Sequence, residues 1–398
     1  MPSRDEPVLI DVTRLISRSW TARQPTGIDR VCYAYLDHFR HRAFAVLQHR
    51  GVIRVLDRSR SDELFDLLTA PATRFRRRFA KWVSKAVFAP EPAIDLEGLV
   101  YLNVSHTDFD LREHFNWIES RCLRPVYLIH DLIPVRHPEF SRPRAVRRHL
   151  GRVELALRHA AQIVVASEAV KADLRAYAAS NGFEMPSVVV APIAGAELGK
   201  PCEPCSTPHF LCLGTIEPRK NHRLLLDIWS DLAARLGEAT PRLTIVGQSG
   251  PMTGTILDPL KRTPTLSRHV EWREKCDDAE LGGLLSSAHA ILFPSLAEGF
   301  GLPLVEALQA GTPVIASDIP VFREIAQGEA TLLDPTDRQG WISAILDHAR
   351  EPASLAERWM RKTRFAAPQW SDHFERVERA LAQTGLPSAA PCESSLAA

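Results

Sequence analysis

The segment 290–316 constrains the fold more than any other part of the 398-residue chain. Two short apolar runs, 290–294 and 313–316, flank a glycine-containing loop and a helix-like stretch. Pro303 suits the first helical position, where its missing N–H is not needed, and Gly311 suits the left-handed residue that closes a helix. The segment therefore predicts a strand, a loop, a helix and a second strand, which is a unit of parallel sheets.

Two acids, Glu298 and Glu306, lie in this loop and helix with seven residues between them. Gly299 and Gly301 let the backbone approach a ligand, and the free N–H groups at the helix start favour an anion such as a diphosphate. Glu306 can accept two bonds from a vicinal diol such as ribose, and Glu298 can reach sugar hydroxyls. Alternatively, Glu306 only complements the helix dipole and Glu298 is a solvated loop acid.

A second string, 210–222, consists of an apolar strand that ends at Gly214 and a loop that carries Arg219 and Lys220. Asn221 is placed to cap the amphipathic helix that follows. Open α/β sheets bind ligands at the carboxyl ends of their strands, so the two cations are placed to neutralise phosphate oxygens. The alternative is an exposed basic turn.

Both strings resemble those of the retaining family-four glycosyltransferases, and the likeness covers nearly the whole chain. The strings Gly-Thr-Ile-Glu-Pro-Arg-Lys-Asn at 214–221 and Ile-His-Asp-Leu-Ile-Pro at 129–134 are most similar to a bacterial branch of O-antigen and exopolysaccharide mannosyltransferases. The resemblance implies an α/β chain with the GT-B fold, in which two Rossmann-like, doubly wound domains face a central cleft. It also implies an enzyme that moves a hexose, with mannose favoured, from a nucleotide sugar to a lipid-linked glycan in surface polysaccharide synthesis.

The resemblance assigns Lys220 to the donor phosphate, Glu298 to the first acid of a paired motif and Glu306 to the second, ribose-binding acid. Many relatives have an arginine directly after the strand-ending glycine, where this chain has Thr215, and Arg219 is the predicted substitute. The predicted catalytic residues are His130, Arg219, Lys220 and Glu298. The predicted donor-binding residues are Gly27, Gly214, Thr215, Arg219, Lys220, Trp272, Arg273, Glu298, Gly299, Phe300, Gly301, Leu302 and Glu306. We predict no metal site and no cofactor, since the nucleotide sugar, GDP-mannose or UDP-hexose, is a substrate.

Bulk properties limit the class of protein. A formal net charge of +1 argues against a nucleic-acid partner held by global charge. Seven cysteines fit reduced thiols in a cytoplasmic enzyme, and the Cys202/Cys205 pair has no second pair with which to bind zinc. Residues 1–7 do not resemble a secretory signal, and no apolar run reaches membrane-spanning length.

Alternating strand and helix signals divide the chain into two domains. We predict an N-terminal acceptor-binding domain at 1–195, a linker at 196–208, a C-terminal nucleotide-sugar-binding domain at 209–385 and a disordered tail at 386–398. Expected strands of the first domain are 8–12, 98–104, 124–129, 162–166 and 188–191, and expected helices are 27–39, 144–159 and 168–179. The loop 24–31 resembles one that approaches the donor phosphates in relatives, and Gly27 is the residue carried over. A glycine before a helix is otherwise a cap.

His130 closes an apolar strand, which places it at the carboxyl edge that faces the interdomain cleft. The matching histidine of relatives lies beside the bound sugar, so we predict a sugar or acceptor contact rather than a general base. The alternative is a histidine that only bonds a neighbouring backbone group. Asp131 either orients His130 or caps the following turn.

The segment 73–88 predicts a basic amphipathic helix, because aromatic and aliphatic residues recur at helical spacing among six cations and no acid. Such a helix can lie on an anionic membrane surface with its aromatic residues in the interface. This would place the enzyme on the inner face of the bacterial inner membrane, next to a lipid-linked acceptor. The alternative is that the apolar stripe packs onto the N-terminal domain and the cations are solvated.

The resemblance also implies a mechanism. Anomeric configuration is retained by front-side attack, in which the departing phosphate oxygen helps to deprotonate the acceptor hydroxyl. Residues 269–273, with Trp272 and Arg273, resemble the border of the base pocket, and GDP-mannose is favoured over UDP-hexose. A non-catalytic scaffold subunit remains the alternative from another class, because a fold does not by itself imply activity and Thr215 departs from the pattern. A phosphorylase or hydrolysing epimerase has no positive signal.

Overall fold

A computed structural model describes residues 6–21, 25–70, 75–86, 94–250 and 252–384. The predicted tail, 386–398, lies outside the described residues. So do both ends of the predicted basic helix, 73–74 and 87–88, and Gln24 at the start of the predicted donor loop.

The first half of the chain forms a seven-stranded sheet. Its strands are β1 (Val8–Asp11), β2 (Ala43–His49), β3 (Val52–Val55), β4 (Val100–Asn103), β5 (Arg124–Ile129), β6 (Gln162–Val165) and β7 (Val188–Val190). They lie in the order β3-β2-β1-β4-β5-β6-β7, and only the β2–β3 pair among the described strands is antiparallel. The helices of this half are α1 (Thr13–Thr21), α2 (Gly27–Phe39), α3 (Arg58–Thr69), α4 (Phe75–Ala86), α5 (Arg112–Ser120), α6 (Ile133–Arg136), α7 (Pro143–His159) and α8 (Glu168–Ser180).

The second half forms a six-stranded parallel sheet. Its strands are β8 (His209–Leu213), β9 (Arg242–Val246), β10 (Val270–Arg273), β11 (Ala290–Phe293), β12 (Val314–Ser317) and β13 (Thr331–Leu333), in the order β10-β9-β8-β11-β12-β13. The helices are α9 (His222–Leu236), α10 (Thr253–Ile256), α11 (Asp258–Arg262), α12 (Pro264–Ser267), α13 (Asp278–Ser287), α14 (Leu302–Gln309), α15 (Pro320–Ala326), α16 (Arg338–Arg350), α17 (Leu355–Arg364) and α18 (Trp370–Gln383).

Burial on both faces explains the continuous apolar runs of the central strands. Every residue of β5 and of β11 is buried. Alternate residues of β1 enter different layers, since Val8 and Ile10 belong to one apolar cluster and Leu9 to another. Helices cover both faces of each sheet, as parallel sheets require. The fold is thus the predicted pair of doubly wound domains.

Each sheet has one point where the strand order reverses, between β1 and β4 in the first and between β8 and β11 in the second. The loops that follow two such strands diverge toward opposite faces and leave a crevice at the carboxyl ends of the strands. The loop that carries Arg219 and Lys220 follows β8, and the loop that carries Glu298 follows β11. Both motifs therefore open into one crevice.

The last helix, α18, packs against the first domain. His373 bonds through Nδ1 to the Ala191 carbonyl and through Nε2 to the Tyr35 hydroxyl, each at 2.9 Å. Glu378 accepts two bonds from Arg42, at 2.5 and 2.7 Å. The end of the described chain thus ties the two halves together.

Helix-end signals had mixed outcomes. Gly311 has a φ of 74°, the predicted left-handed value, but Pro303 is the second residue of α14 rather than the first. Asn221 is the N-cap residue of α9, as predicted, but its side chain makes no capping bond. Its backbone is itself left-handed (φ 54°, ψ 34°), and its side chain donates to the Pro335 carbonyl at 3.3 Å. A side-chain cap normally needs extended backbone, whereas here the 3₁₀ turn Pro218–Lys220 runs straight into α9.

The basic amphipathic helix forms over Phe75–Ala86, and its apolar stripe is used inside the molecule. Phe75 and Trp82 are 3% and 7% exposed, and the Phe79 ring stacks on both, with centroid distances of 5.2 and 5.5 Å. The expectation that these rings enter a membrane is therefore wrong, because they already pack on the first domain. The exposed residues Arg76, Arg77, Arg78 and Lys81 remain on the surface. Within the described residues, each helix is too short or too polar to cross a bilayer.

Candidate functional site

Glu298 is the centre of a charged cluster at the carboxyl edge of the second sheet. One of its oxygens, Oε2, accepts a bond from Arg219 Nη1 at 2.6 Å. The other, Oε1, accepts bonds from Lys220 Nζ at 2.5 Å and from Ser295 Oγ at 2.8 Å. Arg219 also donates to the Ala297 carbonyl at 3.0 Å and pairs with Glu217 at 2.6 Å. Three of the four predicted catalytic residues are thus in direct contact.

The cluster keeps Glu298 ionised. Burial alone would raise the pKa of this carboxyl, but Arg219 and Lys220 outweigh it and lower the pKa to about 2. Two cations face one buried carboxylate, with Glu217 as a second anion on Arg219. Arg219 and Lys220 can exchange part of their carboxylate contacts for contacts with phosphate oxygens, because guanidinium and ammonium groups bind phosphate well.

Gly214 and Thr215 lie at the end of β8, under the side chain of Lys220. Gly214 has a φ of +146°, and a Cβ built there would lie 3.2 Å from Lys220 Cε. A side chain at this position would therefore combine strain with crowding of the lysine. Thr215 is half-buried beside it and supplies no charge.

The start of α14 faces the first domain. Gly301 is its N-cap residue with a φ of 105°, and Phe300 and Leu302 are 6% and 8% exposed. A Cβ added to Gly27 would lie 3.3 Å from Leu302 Cδ1, so the predicted donor loop of the first domain meets this helix end. The first N–H groups of a helix lack partners within the helix and favour an anion.

His130 lies across the cleft from the glutamate loop. A Cβ added to Gly299 would lie only 2.3 Å from the His130 carbonyl oxygen, so glycine allows the two backbones to meet here. The His130 ring bonds through Nε2 to the Val104 carbonyl at 2.8 Å. Burial lowers the pKa of His130 to about 4, so the imidazole is neutral near pH 7. A ring of such low basicity is a weak general base, so a hydrogen-bonding contact suits it better.

Asp131 caps the following turn, which is one of its two predicted roles. Its Oδ1 accepts the Ile133 backbone N–H at 2.9 Å, and its carbonyl oxygen lies 2.9 Å from Nε2 of His149. The ring of His130 is oriented instead by Val104. His106, whose ring centroid is 5.0 Å from that of His130, completes a buried histidine group that the sequence reading missed.

Glu306 is buried at 3% exposure and contacts the first domain. Arg30 Nη1 donates to Glu306 Oε1, and the Ala196 backbone N–H donates to the same oxygen at 3.1 Å. Burial raises the pKa of Glu306, while Arg30 opposes that effect. The sequence reading did not single out Arg30, although it lies three residues after Gly27 and thus near the same cleft.

Trp272 and Arg273 lie on β10, at the far edge of the second sheet. Trp272 Nε1 donates to the Gly247 carbonyl at 3.0 Å. Arg273 pairs with Glu271 at 2.9 Å and also with Glu280. These contacts connect β10 to its own surroundings, and none of them joins the Glu298 cluster. Their assignment to the base pocket stays a prediction.

Candidate metal ligands do not cluster in the described parts of the chain: no group of three or more His, Cys, Asp or Glu side chains is arranged to hold an ion. Cys202 and Cys205 are both unpaired thiols. The Sγ of Cys205 lies 3.0 Å from the Thr207 carbonyl oxygen.

Residues 207–351 match the family model described as "Glycosyl transferases group 1". This range contains Arg219, Lys220, Glu298 and Glu306. Among curated relatives, the chain is 30% identical over 259 residues to the serotype-specific mannosyltransferase WbdA of Escherichia coli. That alignment covers 59% of this chain and 31% of WbdA. It is 28% identical over 231 residues to the O-antigen chain mannosyltransferase RfbU of Salmonella typhimurium. That alignment covers 57% of this chain and 62% of RfbU. The chain thus spans about a third of the length of WbdA.

Solved structures show the same architecture. HepE from Anabaena, in complex with UDP and glucose, matches with a TM-score of 0.63 at 16% identity, covering 95% of this chain and 99% of HepE. Two doubly wound domains that face one cleft, matched over this length, define the GT-B fold. Residues 207–351 resemble a glycosyl transferases group 1 domain, and the two relatives named above are mannosyltransferases. The predicted resemblance and the predicted fold are both confirmed.

Proposed function

We propose that this chain is a retaining glycosyltransferase. It transfers a hexose, with mannose favoured, from a nucleotide sugar to a lipid-linked glycan in bacterial surface polysaccharide synthesis. The observation that carries the proposal is the buried Glu298 that binds both Arg219 and Lys220 at the strand-order reversal of the second sheet. The names of WbdA and RfbU, both mannosyltransferases, support mannose and the polysaccharide context.

Stabilisation of the departing nucleoside diphosphate is the main task of such a site, because a sugar nucleotide already carries a good leaving group. Lys220 and Arg219 supply positive charge, and the backbone N–H groups at Gly301 and Leu302 add hydrogen-bond donors. Glu298 holds both cations in place and keeps an oxygen near the sugar. The charge is thus placed before the substrate arrives, so that little reorganisation is needed in the reaction.

Retention is proposed to follow from front-side attack. The departing phosphate oxygen accepts the proton of the acceptor hydroxyl as that hydroxyl bonds to the anomeric carbon, so no side-chain base is required. His130, neutral near pH 7 and opposite Gly299, would contact the sugar or acceptor by a hydrogen bond. We expect no role for a metal ion, and EDTA should leave the transfer rate unchanged.

The donor assignment is tested by thermal shift with GDP, UDP, GDP-mannose and UDP-glucose. A ligand that binds only the native state stabilises it by about 2.7 kcal/mol at 100 times its Kd. We expect GDP and GDP-mannose to raise Tm in the wild type, with the shift lost in Lys220→Ala and Glu306→Ala. Lys261→Ala, at an exposed lysine on α11, is the matched control and should keep the shift.

Each outcome of this panel favours one candidate. A shift with UDP and UDP-glucose alone would replace GDP-mannose by a UDP-sugar, as bound by HepE. No shift with any nucleotide would favour a non-catalytic scaffold subunit, the alternative that Thr215 left open. An equal shift in the wild type and in Lys220→Ala would contradict the proposed contact between Lys220 and the donor phosphate.

Attachment to the inner face of the bacterial inner membrane is proposed through the exposed cations of α4 rather than its aromatic rings. Each basic residue near an anionic surface adds about 1 kcal/mol of binding. We expect flotation with phosphatidylglycerol vesicles that weakens with salt, and loss of flotation in Arg77→Gln/Arg78→Gln/Lys81→Gln. Arg223→Gln/Arg235→Gln/Arg268→Gln, at exposed positions of the second domain, is the charge-matched control. Flotation that is absent in the wild type would contradict the proposal.

A further inference from the structure

Arg30 connects the two domains at the candidate donor site. It lies in the first turn of α2, three residues after Gly27, and its guanidinium reaches Glu306 on α14. The two residues are 276 positions apart in the sequence. The side chain of Arg30 is 36% exposed, whereas that of Glu306 is 3% exposed. A partly open cation of one domain thus neutralises a buried acid of the other.

The contacts of Glu306 are concentrated on one oxygen. Oε1 accepts both the Arg30 Nη1 bond and the Ala196 N–H bond. No other hydrogen bond within the described residues ends on this carboxylate, so the acceptor capacity of Oε2 is left for a ligand. An ionised carboxylate oxygen can accept two bonds, which matches the two donors of a vicinal diol.

The charge state of Glu306 depends on what surrounds it. Burial and Asp278, on α13, raise the pKa of Glu306, whereas Arg30 and the Ala196 N–H lower it. Asp278 lies 4.0 Å from Arg30 Nη2 and so competes for the same cation. A protonated Glu306 would donate one bond and lose part of its acceptor capacity for a diol.

We infer that Arg30 is a positioning residue for donor binding: its ion pair with Glu306 holds that carboxylate in place, so that the ribose hydroxyls are bound only when the two domains are together. This inference rests on the proposed function, since it assumes a nucleotide ribose at Glu306. Arg30 acts through Glu306 and need not touch the ligand. The N-terminal domain thereby contributes to recognition of the ribose.

The test measures the Kd of GDP and of 2′,3′-dideoxy-GDP by calorimetry, with UDP and its dideoxy analogue in parallel. For Arg30→Met we expect GDP binding to weaken about 10- to 100-fold, the range for loss of a charged hydrogen bond. Dideoxy-GDP, which lacks the diol, should lose much less. Arg30→Lys should recover part of the preference for GDP over dideoxy-GDP. Arg40→Met, at a surface pair with Asp66 at the other end of α2, should match the wild type.

Further variants separate this role from a general loss of structure. In a Glu306→Gln background, Arg30→Met should have little additional effect, because the partner that it positions is gone. Circular dichroism and Tm without nucleotide check that each variant is folded. Because Arg30 lowers and burial raises the pKa of Glu306, GDP binding by Arg30→Met should also weaken more on acidification than it does in the wild type.

Four outcomes would overturn the inference or the function beneath it. Equal weakening of GDP and dideoxy-GDP would show that Arg30 does not act through the diol. Tighter GDP binding by Arg30→Met would show that the ion pair blocks the site instead of preparing it. If the wild type binds none of the four nucleotides, the proposed function fails, which is distinct from a wild type that binds and an Arg30→Met variant that binds equally well.

Discussion

At the scale of single residues, Glu298 sets the charge balance of the cleft. It is the carboxylate shared by Arg219 and Lys220, and it is almost fully buried. A buried charge that loses its partner costs about 3–5 kcal/mol. Glu298→Gln keeps the shape of the side chain but leaves two cations without this anion. We expect the free energy of unfolding in urea to fall by about 3 kcal/mol.

The pH dependence of this effect has a definite sign. The pKa of Glu298 is about 2 in the folded protein, below its ordinary 4.5. Its contribution to stability is therefore present above pH 4.5 and is lost as the pH falls toward 2. The gap between wild type and Glu298→Gln should narrow on acidification. Ser295→Ala, which removes one bond to the ionised carboxylate and no charge, should cost only about 1 kcal/mol above pH 4.5. A Glu298→Gln variant as stable as the wild type would contradict the argument.

At the scale of secondary-structure elements, α17 supports the end of α13. Arg358 is fully buried, and its guanidinium donates to the carbonyls of Ser286 and Ala288 at 2.8 and 2.7 Å, and to that of Ala353 at 3.1 Å. The last carbonyls of a helix need such partners. This contact fixes the chain just before β11, which leads to the loop with Glu298.

Replacement of Arg358 by leucine should remove these three donors and leave buried carbonyls without partners. We expect a loss of about 3 kcal/mol, since each buried unsatisfied group costs about 1–3 kcal/mol. Arg364→Leu on the same helix is the matched control, because its surface pair with Glu329 contributes about 0–1 kcal/mol. Chemical denaturation measures both. Similar losses in the two variants would mean that the carbonyl contacts of Arg358 do not stabilise the fold.

Secondary-structure elements were predictable where a single sequence pattern determines the structure. The strands at β1, β5 and β6 are buried on both faces, so they read as continuous apolar runs with few alternatives. The β2–β3 hairpin was not predicted, because β3 is an edge strand with only one buried residue among four. Asn221 occupies the predicted N-cap position, but its side chain does not cap α9, because a preceding 3₁₀ turn sets its backbone and this depends on tertiary context.

At the scale of the whole molecule, long-range pairing limited what the sequence could predict. The crevice that brings Lys220 and Glu298 together follows from parallel strands, whose carboxyl ends meet at one edge. The pairing of Arg30 with Glu306 crosses between domains and has no local pattern. The same holds for α18, which packs against the first domain through His373. Packing of the apolar stripe of α4 on the first domain was one of two predicted alternatives. The sequence could not decide between them, because it does not show which residues the stripe contacts.

The two domains approach each other closely at Gly299. Gly299 meets the His130 backbone so closely that an added Cβ would lie 2.3 Å from the carbonyl oxygen and 2.9 Å from Asp131 Cβ. Contacts this short cannot be kept, so the backbone at Gly299 and the backbone at His130 must move apart. Because the two belong to different domains, we expect the domains to separate. Ser167 Oγ also donates to the Gly299 carbonyl at 3.2 Å, so displacement would break an interdomain bond.

We therefore expect Gly299→Ala to hold the domains apart without unfolding either of them. In small-angle X-ray scattering the radius of gyration should increase relative to the wild type, and nucleotide binding should weaken about tenfold or more, because groups of both domains would no longer meet. Gly283→Ala is the matched control, since a Cβ at that exposed position of α13 meets no atom within 4 Å. An unchanged radius together with unchanged nucleotide affinity would mean that the His130 loop yields locally, and that closure of the cleft does not depend on Gly299.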